Sequence, residues 1–69
     1  MIWLWEREGQ RLTYEVHRLD DVNQYELLVT YPDGTEEAET FAEPGALLER
    51  SFTWKDRLES EGWRALPPW

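Results

Sequence analysis

Cysteine is absent from this 69-residue chain, and histidine occurs once, at His17. No disulfide framework or thiolate metal site is therefore available. A Ser–His–acid arrangement would rest on His17 alone, which lies mid-way along an alternating stretch. Ser51 and Ser60 fall in a helical stretch, and neither sits in the sharp Gly-x-Ser-x-Gly turn that exposes a nucleophile. The four glycines are scattered, so no glycine-rich phosphate loop exists. Carboxylates are plentiful but not arranged as ligands. Asp20-Asp21-Val22-Asn23 lacks the glycine and closing glutamate of a calcium loop. Paired carboxylates for glycoside chemistry need a sugar-holding cleft, for which a chain this short has little room. The expectation is a protein that is not an enzyme, with no catalytic, metal-ligating or cofactor-binding residue.

Long hydrophobic runs are also lacking. Met1-Ile2-Trp3-Leu4-Trp5 gives way at once to Glu6-Arg7-Glu8. A signal peptide needs a basic start and a longer apolar core, and a membrane span needs about 20 apolar residues. The reading is a protein without a targeting segment or membrane span, with the cytoplasm as its default location.

Positive charge is missing from the middle of the chain. The net charge is −8, from 15 acids and 7 bases. Between Leu19 and Glu49 there are nine acids and no Lys or Arg, a block of −9 that leaves +1 for the remainder. Phosphate is gripped by Lys and Arg, so this block repels nucleic acid and anionic lipid. Two readings of the block follow: an acidic excess that keeps a small protein soluble, or a face that a basic protein partner reads, in the manner of a nucleic-acid mimic.

What the chain does contain is aromatic and alternating. Aromatics are 14% of residues, including five tryptophans. A domain this small buries only about 60% of its unfolded surface, so its core is marginal and self-association is a common remedy. Short strands are expected at about 2–6, 12–19, 25–31 and 35–41. Leu12, Tyr14 and Val16 alternate with Thr13, Glu15 and His17. Pro32-Asp33-Gly34 reads as a type I turn with a glycine bulge. That turn sets a register in which Tyr31 faces Thr35, Val29 faces Glu37, Leu28 faces Ala38 and Tyr25 faces Phe41. Tyr25, Leu27 and Val29 then mark the core face. Glu37 and Glu39 share that face on an edge strand, where inward-leaning charge guards against unwanted pairing. Glu36 lies on the opposite face.

Pro44 suits the first turn of a helix, expected at about 45–61, with Leu47, Ser51, Trp54 and Leu58 as its core stripe. Adding Phe52 widens the stripe to about 160°, more than the ~100° that one sheet face requires. Residues 63–69 read as a tail, stopped by Pro67-Pro68. The expected fold is a single α+β domain: an antiparallel meander of three to four strands with one C-terminal helix across one face.

The functional expectation is a non-enzymatic protein–protein interaction module, expected to be a homodimer. Trp3, Trp5, Phe52 and Trp54 are the aromatic candidates for its contact surface, and Glu36, Glu37 and Glu39 the acidic ones. The alternative is a module for single-stranded nucleic acid that stacks bases on Trp3 and Trp5 beside Arg7, Arg11 and Arg18. The aromatics are not interleaved with basic residues, and this disfavours nucleic acid.

Overall fold

The computed structural model describes residues 1–67. Four strands, β1 (Ile2–Arg7), β2 (Gln10–Leu19), β3 (Gln24–Thr30) and β4 (Glu36–Phe41), precede the helix α1 (Pro44–Ser60) and a short strand β5 (Arg64–Ala65). They form one antiparallel sheet in the order β4-β3-β2-β1-β5. The α+β meander with one helix on one face is the architecture expected, extended by a fifth strand.

Turn chemistry fixes the registers. Glu8 and Gly9 both take positive φ, 51° and 79°. This pair of left-handed residues matches the right-handed twist of the strands it joins, so Arg7 pairs with Gln10 and β2 begins there. At the β3–β4 hairpin Gly34 has φ 90°, and the Tyr31 N–H donates to Thr35 O at 2.8 Å. Asp33 Oδ1 accepts from both the backbone N–H and the hydroxyl of Thr35, which holds its carboxyl below the usual carboxylate range. The resulting pairs Val29–Glu37, Leu28–Ala38 and Tyr25–Phe41 are those the turn predicted.

Pairing puts Trp3, Trp5, Leu12, Tyr14, Val16, Leu27 and Val29 on one face. That face meets Leu58 and Trp54 of α1 in a single buried cluster. The opposite face carries Leu4, Thr13, Thr30 and Glu36 across one row, and Ile2, Glu15, Leu28 and Ala38 across the next. On that face His17 lies between two carboxylates, 2.9 Å from Glu26 and 3.4 Å from Glu15.

The region expected as a tail behaves differently over residues 63–67. Gly62 takes φ 92°, its N–H donates to Glu59 O, and the Trp63 N–H donates to Leu58 O at 2.9 Å. These are the two bonds of a Schellman helix stop, which satisfy helix carbonyls and turn the chain back. Trp63 is thereby delivered to the core, 5% exposed. Residues 64–65 pair with β1 opposite Trp5 and Glu6. Arg7 secures this return: its guanidinium lies 4.4 Å from the Trp63 ring centroid and donates to Glu61 O at 2.8 Å. A cation is favoured there by the negative end of the helix dipole. Pro68 and the last residue of the expected tail lie outside the described residues.

Candidate functional site

The helix does not lie centrally on the sheet. Its backbone approaches β3 and β4. Trp5 and Leu12, at one end of the β1–β2 pair, share the buried cluster with Trp63. At the other end the core-facing side chains Trp3 and Val16 are only partly buried. Between them and the flank of α1 runs an open groove of about 550 Å³. Its floor is Trp3, Trp5, Tyr14 and Val16, with Met1 at one end. Its wall is the helix stripe Pro44, Leu47, Leu48, Ser51, Phe52 and Lys55, whose spacings of three and four place them on one side of α1.

The groove is apolar with few polar groups. Tyr14 donates its hydroxyl to Ser51 Oγ at 2.7 Å, joining floor to wall. Burial pushes the Tyr14 phenol above its ordinary pKa. Lys55 is the charged side chain of the lining, and it pairs with Glu59 one turn on at 3.4 Å. Among the described residues no carboxylate lines the groove, although the chain carries 15 Asp and Glu side chains. Leu48 and Phe52 stand at the rim, 58% and 60% exposed. Monomeric domains rarely leave adjacent large apolar side chains in water without a use for them.

The structure separates the aromatic candidates. Trp3 lies in the groove, edge-on to Tyr14 with ring centroids 5.6 Å apart, and Phe52 forms its rim. Trp5 touches the floor but is 1% exposed, and Trp54 is 2% exposed on the far side of the helix. Their rings are spent on the core, because Trp5 faces Leu12 across the hairpin and Trp54 points at the sheet. Neither offers surface to a partner. From the sequence, Leu48 and Lys55 lie with Phe52 beside the core stripe of the helix but are not among the contact candidates; that the sheet stops short of covering them was not visible there.

The acidic candidates divide as the register predicted. Glu36 lies in one row with Thr30 on the uncovered face, while Glu37 and Glu39 share the helix side. Glu39 Oε1 accepts from Arg50 Nε at 2.8 Å and from Trp54 Nε1 at 3.4 Å. It is therefore tied into the helix contact, not presented outward. Arg7 is engaged with Trp63 and Glu61, and Arg18 donates to Asn23 at 2.6 Å.

A second, polar cleft of about 520 Å³ lies at the C-terminal end of α1, lined by Arg7, Tyr31, Glu37, Arg57 and Glu61 among others. Within it Arg57 meets Glu61 at 3.3 Å, and Arg7 donates to the Glu61 carbonyl at 2.8 Å. Among the described residues no three His, Asp or Glu side chains gather as a metal site, and no helix is long and apolar enough to cross a membrane. In comparisons with protein-family models, curated proteins and solved structures, the chain matched none.

Proposed function

We propose that the protein is a non-enzymatic protein–protein interaction module whose contact surface is the groove between α1 and the β1–β2 pair. One observation carries this reading: an apolar groove with no acid among its described lining residues and with Leu48 and Phe52 exposed at its rim, on a chain of net charge −8. Interfaces place aromatic and aliphatic anchors at a centre depleted of charge, with a polar rim around it. The groove has that composition. The partner it fits is a protein surface with large apolar side chains and no cluster of positive charge, since a cationic ridge would meet Lys55.

The nucleic-acid reading has less support. Stacking platforms need exposed aromatic faces beside cations. Trp5 is buried, and Arg7 and Arg18 are engaged within the chain. Within the acidic block, Asp33, Glu36 and Glu37 are solvated at the β4 edge of the sheet, while Glu43 and Glu49 stand beside the groove-lining Pro44 and Leu48.

Selection of a phage-displayed peptide library against the protein at nanomolar concentration tests the reading. Enriched peptides carrying apolar anchors, whose binding falls at least about tenfold with Phe52→Glu or Leu48→Glu, are expected. Failure to enrich any such peptide, or a shift of a labelled single-stranded oligonucleotide on adding the protein, would contradict it.

A further inference from the structure

We propose that the outer edge of β4 takes up a basic, extended peptide segment of another protein as an added strand of the sheet. This site is independent of the groove: β4 closes one side of the sheet, whereas the groove floor is built on β1 and β2.

The sheet order leaves β4 with one neighbour, β3. The two strands pair one-to-one from Thr30–Glu36 to Tyr25–Phe41, without a bulge. A bulge, a proline, a lysine or a very short strand commonly blunts an edge. β4, Glu-Glu-Ala-Glu-Thr-Phe, has none of these over its 6 residues, whereas β5 on the other side has only 2. In an antiparallel ladder alternate residues turn N–H and C=O toward the neighbour, and those between turn theirs away. The Tyr31 N–H donates to Thr35 O. Counted from that pair, Glu37, Glu39 and Phe41 bond to β3, and the backbone groups of Glu36, Ala38 and Thr40 face outward. All three residues are exposed. Among the described residues no loop or helix backbone hydrogen-bonds to any of them. An edge of this kind pairs with an extended chain: main-chain bonds give affinity, and alternate side chains give the choice of partner.

Charge selects the occupant. Neither β3 nor β4 carries a Lys, Arg or His. On the helix side of β4, Glu39 is already held by Arg50 at 2.8 Å, and Glu37 shares the polar cleft with Arg57. On the open face Glu36 is exposed, and its carboxylate meets no cation among the described residues. His17, on that face, is set between Glu15 and Glu26. Exposed Asp33 before the strand and Glu43 after it add to the same sign.

Opposite charges facing each other across a strand pair are favourable, and like charges are not. A guard of one sign therefore turns away acidic strands and admits basic ones. A second copy's β4 would bring its own three glutamates to the contact. A segment with Lys or Arg opposite Glu36, and at every second position from there, meets the open-face charge and leaves its other side chains to the helix side, where cations already stand.

Titration of the isotope-labelled whole chain with an end-capped peptide of about ten residues, alternating Lys and Val, from about 10 μM to 1 mM tests the proposal. Amide shifts are expected along residues 35–41. Hydrogen exchange should slow at Glu36, Ala38 and Thr40, whose amides gain partners, and change little at Glu37 and Glu39, whose amides already have them. That alternation marks an added strand and is not produced by loose attraction of charge. Glu36→Lys, at an exposed position, should weaken binding at least about threefold while leaving far-ultraviolet dichroism unchanged. A peptide with Glu in place of Lys should not bind. No shift by 1 mM peptide overturns the proposal and leaves the glutamates as guards of the edge alone. Shifts without protection of Glu36, Ala38 and Thr40 overturn it as well, as do shifts centred on the groove. Equal binding of the Glu-containing peptide, or by Glu36→Lys, would remove the charge selection on which the choice of occupant rests.

Discussion

Tyr14 and Ser51 show how one pair of side chains joins the two layers. The phenol is buried, so its hydroxyl needs a partner, and Ser51 supplies it at 2.7 Å. Removing that partner by Ser51→Ala leaves the hydroxyl at the edge of an apolar groove and should cost about 1 kcal/mol, read from the urea unfolding midpoint. Burial raises the Tyr14 pKa above 10.0. The folded state then holds this proton more tightly than the unfolded chain does. Stability should be unaffected by this group below about pH 9 and should fall as pH rises through the unfolded value of about 10. The fall should be shallower in Tyr14→Phe, measured by unfolding at pH 9 and 11. At this scale the sequence was partly legible. Period-two alternation placed Tyr14 on one face with Leu12 and Val16, and the four-three-four spacing placed Ser51 on the helix stripe. Their meeting depended on where the helix crosses the sheet, which no local pattern specifies. The Glu39–Arg50–Trp54 contact was hidden for the same reason.

At the scale of elements, the β3–β4 hairpin and the start of the helix followed from turn and capping residues. The β3–β4 register was readable because Pro32-Asp33-Gly34 admits few turns, and Gly34 sits at φ 90°. A Cβ there meets nothing within 4 Å, so a substitution acts through the backbone alone. Gly34→Val should destabilise by about 1–2 kcal/mol, and an unchanged melting temperature would mean that the turn relaxes freely. The C-terminal region was less legible. Prolines near the end pointed to a tail, whereas Gly62 reverses the chain and sends Trp63 inward. A glycine after a helix marks a stop but does not announce the direction taken next. Trp63→Ala should empty a core position and release the Arg7 stack, costing about 3–5 kcal/mol in thermal or denaturant unfolding. A cost below 1 kcal/mol would show that β5 and Trp63 contribute little.

At the scale of the whole molecule, the exposed acids of β4 and its turn lie at the sheet edge far from β1, which helps floor the apolar groove. Within the block from Leu19 to Glu49, Glu39 meets Arg50 and Glu26 meets His17. Asp33, Glu36 and Glu37 are exposed. Exposed ion pairs contribute only about 0–1 kcal/mol each, so repulsion within the block should win at low salt. The melting temperature should therefore rise as NaCl increases from about 10 to 150 mM, where the Debye length shortens from roughly 30 to 8 Å. A falling melting temperature would show that attractive pairs dominate. Composition made the acidic block legible in advance, and the wide helix stripe hinted at a second contact. The groove itself was not legible, because it comes from the offset of α1 toward β3 and β4. The most direct measurement of which surface is used is backbone amide chemical-shift mapping on titration with a peptide enriched in the selection above, from about 10 μM to 1 mM, a range that brackets micromolar association. The account predicts shifts concentrated at Trp3, Val16, Leu48, Phe52 and Lys55, with residues 33–40 unmoved. Shifts concentrated on the β3–β4 turn, or none anywhere, would contradict it.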